Sequence, residues 1–350
     1  MAVNEEKLNA FLEKAVGDLG ASISAALVLL GDELGLYRAL ADEPLDAAQL
    51  ASRTNTSERY VREWLANQAA GGYVQYDSST GRYSLSEEQA LCLADPNSPV
   101  DLPGAYGIVE DLFHVRERAL ENFRTGAGME WGEHHPCLFR GTERFFRAGY
   151  NANLLSSWLP ALEGVIDKLQ QGARAADVGC GHGASTILMA QAFPRSQFIG
   201  FDYHEASIDT ARRRAQDAGV KNAQFEVADA TSYDGGELDF VAFFDCLHDM
   251  ADPVGAARHA HEALKADGTC MIVEPIAGDR VEDNLNPVGR VYYGASSLVC
   301  VPVSLARKGP ALGAQAGEAK LREVLIDQGG FSRMRRATQT PFNIVLEARP

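Results

Sequence analysis

The run Asp177–Val178–Gly179–Cys180–Gly181–His182–Gly183–Ala184 decides how this chain is read. An apolar strand-like stretch precedes it, and a helix-forming stretch follows from residue 185. Glycines at such a junction let the backbone turn tightly and approach a ligand with no Cβ in the way. The next helix then presents unpaired N–H groups to an anionic part of that ligand. Strand, glycine-rich turn and helix together open a doubly wound α/β domain.

Working outward, the pattern predicts strands near 175–179, 198–202, 223–227, 239–244 and 269–274. Helices fit 185–193, 205–217, 254–265 and 318–328. Two strand-like runs, Phe331–Arg336 and Phe342–Ala348, close the chain. The glycines alone leave two ligands open. Ala184 completes G-x-G-x-x-A, which suits a nicotinamide dinucleotide, and S-adenosylmethionine fits as well. Three acids favour the second. Asp177 lies two residues before the first glycine, placed to attract the ammonium of a methionine moiety. Asp202 ends the second strand, where a carboxylate accepts hydrogen bonds from ribose hydroxyls. Asp229 follows the third strand, where an adenine edge would lie, and a dinucleotide site gives that acid no particular role.

Upstream, residues 8–40 carry helical apolar spacing through Leu8, Phe11, Leu12, Val16, Leu19, Ile23, Leu27, Leu30 and Leu34. A short helix around Asp46–Ala51 comes next, then a second over Glu58–Ala70, capped by Ser57 and stopped by Gly71–Gly72. Tyr73–Tyr76 and Arg82–Leu85 flank a turn and read as a hairpin. Helix, turn, helix and hairpin make a winged helix. The expected organisation is a winged-helix dimerisation domain over 1–100, a helical linker and substrate-pocket segment over 101–172, and the α/β domain over 173–350. A long insertion at 276–317 is expected to act as a lid, since insertions of that length are usually functional.

The chain resembles the class I S-adenosylmethionine-dependent methyltransferases, in particular small-molecule, O-methyltransferase-like enzymes with an N-terminal winged-helix dimerisation domain. The resemblance rests on DVGCGHG, FDYHEAS, VADA, FFDCLHDMADP and LKADGTCMIVEP, in that order. It implies a Rossmann-like seven-stranded sheet whose last strand, within PFNIVLEA, runs antiparallel. It also implies cofactor contacts from Asp177, Gly179, Gly181, Gly183, Asp202, Tyr203, Asp229, Ala230 and Phe244. His248, just beyond the fourth strand, stands where related O-methyltransferases keep a general base. An imidazole suits that task because its ordinary pKa is near neutrality. A structural or substrate-positioning role for His248 is the other reading. The transfer is an in-line displacement in which the cofactor brings the reactive group and the protein aligns the partners.

Other residues have two readings each. Glu274 either orients His248 and substrate or caps the following loop. Trp131, Tyr150, Tyr292 and Tyr293 either line the substrate pocket or pack. Cys246, beside the cofactor edge, reads as packing. His134–His135 with Glu130 and Glu133 lack metal-ligand spacing, so no metal is expected. The aromatic content of 131–158 and of the insertion suggests a small, partly aromatic substrate.

The chain has 350 residues, a net charge of −16 and six cysteines without a C-x-x-C pair. The cysteine pattern predicts a cytoplasmic protein with reduced thiols, and the resemblance, together with the apolar helices in residues 8–40, implies a homodimer. The MAVNEEKLNA start predicts no signal peptide, and the apolar run at Ala25–Leu30 is too short to span a bilayer. The acidic charge and the balanced Glu58, Arg59, Arg62 and Glu63 oppose nucleic-acid binding. Two rival functions remain: an S-adenosylmethionine-responsive DNA-binding regulator without catalysis, and an NAD(P)-dependent oxidoreductase.

Overall fold

The computed structural model describes residues 3–350. The chain divides into two compact units. One holds the residues up to Asp111 together with Pro136–Ala148, and the other holds Leu112–His135 and Gly149–Pro350.

In the first unit, helices α1 (Glu5–Glu33), α2 (Leu36–Asp42), α3 (Ala47–Thr54) and α4 (Glu58–Ala70) precede the hairpin β1 (Gln75–Asp77) and β2 (Arg82–Ser84), and α5 (Glu87–Leu93) follows. Asp46 and Gln49 form a reciprocal capping box that starts α3. Ser57 holds the cap position of α4, but its side chain makes no capping hydrogen bond, so the expected Ser57 cap is positional only. The core gathers Val28, Leu36, Tyr37, Leu40, Leu50, Trp64 and Leu65. Gly31 lets α1 touch α4, because a Cβ there would lie 2.5 Å from the Trp64 ring.

The segment 101–172, expected as a helical linker and substrate-pocket segment, contributes residues 101–111 and 136–148 to the first unit and the remainder to the second. Helices α6 (Pro103–His114) and α8 (Pro136–Asn153) each lie mostly in the first unit and end in the second, and α7 (Arg116–Thr125) lies in the second. Close packing holds the main part of α8 to α6 within the first unit. A Cβ on Gly141 of α8 would sit 2.8 Å from the Gly104 carbonyl oxygen of α6, so these helices cross almost backbone to backbone. Arg144 of α8 adds a fork to Asp101, with its Nε 2.6 Å and Nη2 2.7 Å from the two carboxylate oxygens.

In the second unit, α9 (Val165–Gln171) leads into alternating strands and helices. They are β3 (Arg174–Val178), α10 (Ala184–Ala192), β4 (Gln197–Asp202), α11 (Glu205–Asp217), β5 (Ala223–Val227), β6 (Leu238–Phe244), α12 (Pro253–Ala263) and β7 (Leu264–Pro275). The insertion folds as α13 (Pro287–Ala295), a π-turn at Ser296–Cys300 and α14 (Val301–Ala306). Helix α15 (Gly317–Arg322) runs into a second π-turn at Glu323–Gln328, before β8 (Arg333–Gln339) and β9 (Asn343–Arg349).

The seven strands lie in the order β5-β4-β3-β6-β7-β9-β8. Strand β9 is antiparallel to both β7 and β8, as expected for the last strand. Strand β3 is central, pairing Ala176 with Ile199 of β4 on one side and with Val241 of β6 on the other. The strand order reverses there, which opens a crevice beyond the carboxyl ends of β3 and β6. Phe201, Val241, Phe243, Ile272 and Leu346 are fully buried and hold the sheet between its helices.

Candidate functional site

The glycine loop after β3 has the geometry its sequence requires. Gly179, Gly181 and Gly183 all have positive φ, at 78°, 50° and 76°. L-residues with a Cβ avoid that region. The three glycines nevertheless do different work. A Cβ on Gly179 would strike Cys246 Sγ at 2.7 Å, and one on Gly183 would strike the Phe225 ring at 2.7 Å. Those two glycines serve packing of the loop on the sheet. Gly181 has nothing within 4 Å of that position, so it faces open space at the head of α10.

Asp177 is buried at the end of β3. Its Oδ2 accepts hydrogen bonds from the Ser185 and Thr186 hydroxyls, both at 2.6 Å. Its Oδ1 is buried with no hydrogen-bond partner. Burial pushes this carboxyl up to about 6, against the pull of the two hydroxyls. A buried, half-satisfied carboxylate is costly unless something cationic or proton-donating meets it.

Asp202 ends β4. Its carboxylate accepts from the Gly181 N–H at 2.9 Å and the His204 N–H at 2.8 Å, which ties the second strand to the glycine loop. Burial raises its pKa, partly offset by those two bonds. Asp229, beyond β5, accepts through Oδ1 from the Thr231 N–H and hydroxyl, at 3.1 and 2.8 Å. Its Oδ2 meets the Arg307 guanidinium at 2.7 Å. Partial burial works against the charge, but Arg307 and Thr231 outweigh it and hold the carboxyl below its usual range. Thus Asp177, Asp202 and Asp229 are arrayed along the ends of successive neighbours β3, β4 and β5.

His248 lies on a short turn at Leu247–Asp249, after β6. Its Nδ1 is 2.5 Å from Oε2 of Glu274, near the end of β7, and the other Glu274 oxygen accepts from the Leu247 N–H at 2.9 Å. One carboxylate therefore fixes both the ring and the backbone that carries it. Burial alone would lower the imidazole pKa, but Glu274 and Cys300 override it and hold His248 well above its ordinary value. Asp249 is pushed up to about 7, chiefly by burial.

The insertion wraps this turn. Cys300 Sγ lies 3.3 Å from His248 Nε2. It is delivered by the π-turn that joins α13 to α14. Pro302 follows at the start of α14, and its missing N–H is compatible with that widened turn. Ser304 is fully buried; its hydroxyl donates to the Met250 carbonyl at 2.9 Å. The Gly313 N–H donates to the His248 carbonyl at 3.2 Å.

Other expected residues take defined places. Tyr150, at the end of α8, is buried and donates to Asp245 Oδ2 at 3.2 Å, with its ring 5.2 Å from Phe244. Tyr292 is buried and spends its hydroxyl on the Phe342 carbonyl at 2.9 Å, so it anchors the insertion to the approach of β9. Tyr293 is 3.5 Å from the Asn284 amide. Trp131 lies half-buried on a 3-10 turn. Cys246 donates its thiol to the Val178 carbonyl at 3.2 Å, which is a packing role.

Sequence reasoning missed Cys300, Arg307, Asp245 and Asn343. Asn343 donates to Asp245 Oδ1 at 2.6 Å, across β-strands nearly a hundred residues apart. Asp245 has a positive φ of 52°, in a region costly for a non-glycine residue. Asp245 and Asn343 lie inside the runs FFDCLHDMADP and PFNIVLEA, but no spacing pairs them, and Cys300 and Arg307 lie in no quoted motif. Each acquires its neighbours only through long-range folding.

Residues 169–324 match a family model described as a methyltransferase domain, and residues 22–95 match one described as an Rv2258c-like winged HTH domain. The chain therefore carries a match to a methyltransferase domain behind a match to a winged helix-turn-helix domain. Among solved structures, human N-acetylserotonin methyltransferase in complex with SAM superposes with a TM-score of 0.70 at 17% identity, covering 100% of this chain and 99% of that one. The mitomycin 7-O-methyltransferase MmcR gives 0.67 at 20% identity, covering 99% and 100%. Curated relatives match over shorter stretches. A trans-aconitate 2-methyltransferase of Acidovorax sp. (strain JS42) is 47% identical over 53 residues, 15% of this chain and 20% of the relative. A demethylmenaquinone methyltransferase of Staphylococcus epidermidis is 28% identical over 109 residues, 30% of this chain and 44% of the relative. The chain thus spans less than half the length of these curated relatives.

Proposed function

We propose that the protein is an S-adenosylmethionine-dependent methyltransferase acting on a small, partly aromatic molecule. The observation that carries this reading is the pairing of an open glycine position, Gly181, with a buried Asp177 oxygen that has no partner. Those residues fit the cofactor: a carboxylate short of a donor suits an ammonium, and a backbone without Cβ suits close approach. Asp202 would accept from the ribose and Asp229 would stand by the adenine, with Gly179, Gly183, Tyr203, Ala230 and Phe244 beside them. Both curated relatives above are named methyltransferases, which supports the same activity.

When bound, S-adenosylmethionine supplies a methyl group on a sulfonium. The chain's own task is to place an acceptor against that carbon, exclude water and take a proton. His248 is the group we assign to the proton. Its ring is held by Glu274 at Nδ1, which leaves Nε2 to face the acceptor, on the side where Cys300 now stands. Because Glu274 raises the imidazole pKa, the neutral, base-competent form of His248 gains population as pH rises.

The N-terminal unit is read as a dimerisation domain. Phe11, Val16, Leu19 and Ile23 of α1 are 67%, 68%, 61% and 61% exposed, an apolar stripe that a second copy would cover. By length and composition α1 is also long and apolar enough to cross a membrane. This goes beyond the expectation drawn from the Ala25–Leu30 run alone, because the eligible segment is the whole helix. Light scattering and membrane fractionation of the full chain separate the two: a soluble dimer supports our reading, and recovery in the membrane fraction ends it. The DNA-regulator reading draws no support from α4, where Arg59 pairs with Glu63 and Arg62 with Glu58 on the same helix. All six cysteines are free thiols, consistent with the cytoplasm.

The test is calorimetric titration with S-adenosylhomocysteine, NAD and NADP. We expect micromolar binding of the first alone. Binding of a dinucleotide instead would return the glycine loop to the oxidoreductase reading.

A further inference from the structure

We propose that Arg307 is a clasp on the cofactor site, by which the insertion holds the adenosine end closed and governs cofactor exchange. The inference rests on the reading of this sheet edge as a cofactor site, and adds to it a residue and a task that no sequence motif announces.

Arg307 is the residue at which α14 ends. Its guanidinium reaches from the insertion to two separate loops of the sheet edge. Nη2 meets Asp229 Oδ2 at 2.7 Å, beyond β5. The guanidinium carbon lies 5.0 Å from the centroid of the Tyr203 ring, directly after Asp202 at the end of β4. Those are the acid assigned to adenine and the neighbour of the acid assigned to ribose. A planar cation over an aromatic face, with one edge on a carboxylate, uses both binding modes that distinguish arginine from lysine.

The arm carrying Arg307 is firmly set. Ser304 is fully buried and ties α14 to the Met250 carbonyl at 2.9 Å. Gly128 packs against the same end of the helix so tightly that a Cβ there would lie 2.0 Å from the Ala306 nitrogen. The arginine tip is different: its side chain is 37% exposed and that of Asp229 is 33% exposed. A rigid arm with a half-wet tip suits a contact that opens and closes while the arm stays in place. With Asp229 Oδ1 engaged by Thr231, Oδ2 is the oxygen that Arg307 and an adenine edge share. The clasp therefore positions Asp229 and covers the edge, and it contributes nothing to the chemistry at His248.

The experiment is stopped-flow measurement of S-adenosylhomocysteine binding and release in the full-length protein, for wild type, Arg307→Lys and Arg307→Met. The methionine variant keeps the stem and removes the charge. We expect release to quicken by roughly three- to tenfold in Arg307→Met, the size of one stacked, half-exposed ion pair, with association changed far less. Arg307→Lys restores part of the loss. Wild-type release quickens as salt is raised from low to physiological strength, and the methionine variant loses that dependence. Release within twofold of wild type and equally salt-sensitive in Arg307→Met overturns the clasp. So does slower association together with a lowered melting temperature of the free protein, since that marks a structural role only. Failure of wild type itself to bind S-adenosylhomocysteine is a separate result, and it overturns the cofactor reading as well.

Discussion

Two acid–base pairs on the same sheet edge invite comparison. His248 and Glu274 are 4% and 2% exposed, whereas Arg307 and Asp229 are 37% and 33% exposed. Both join a residue outside the sheet to a carboxylate at or beyond a strand end. Burial separates their uses. In the dry pair water cannot compete, so the carboxylate sets both the orientation and the protonation of the ring, and losing either partner leaves an uncompensated polar group. In the wet pair water stands ready to replace either partner, so the contact opens at small cost. The dry pair suits proton transfer and the wet pair suits a closure that must let go.

Four predictions test that contrast. The largest effect belongs to the dry centre. His248→Ala is expected to reduce turnover by about 10²- to 10⁴-fold, measured as S-adenosylhomocysteine release with any acceptor that turns over. Activity within threefold of wild type at neutral pH would remove His248 from the base role. Next, Asp177→Asn is expected to weaken S-adenosylhomocysteine binding by about 10- to 100-fold, the range for losing a charge-assisted bond at a buried site. Unchanged affinity by calorimetry would mean that its unpartnered oxygen meets something else.

Glu274→Gln alters the pH profile more than the peak rate. Glu274 raises the His248 pKa, so wild-type activity climbs on an alkaline limb as the imidazole loses its proton. Removing the carboxylate charge shifts that limb to lower pH. An unmoved limb would show that another group titrates.

The smallest expected effect is on stability without ligand. The folded-state pKa values of Asp177 and Asp249 are raised, to about 6 and about 7. Groups raised in this way contribute stability below their unfolded values near 4, and that contribution is lost as pH rises through 6 and 7. The melting temperature of Asp177→Asn should therefore fall less than that of wild type between pH 5 and 7.5, and parallel curves would contradict the assignment. A cationic ligand reverses the penalty, so its stabilising effect grows over the same window.

Much of the α/β domain was legible in the sequence. The strands and helices on both sides of the glycine loop lie within three residues of their expected bounds, except that β7 starts at Leu264 and the last helix becomes α15 plus a π-turn. Period-2 and period-3.6 patterns report which face of an element is buried, and one sheet covered on both sides leaves little choice. The segment 101–172 was less legible. Parts of it separated in sequence meet inside the first unit, as Gly104 meets Gly141, and a glycine in a helix does not announce which backbone it will meet.

The sequence by itself determined the glycine loop, the three acids on successive strands and the position of His248 after β6. These are local consequences of strand ends and turns, where side-chain type and spacing suffice. Only the tertiary structure decided that Glu274 grips His248 and that Cys300 stands on the far side of its ring. It alone decided that Asn343 meets Asp245 and that Arg307 closes on Asp229. Those partners lie between 26 and 98 residues apart in the chain. Their meeting depends on the strand order and the path of the insertion, which no run of neighbouring residues encodes, and burial then sets what each pair does.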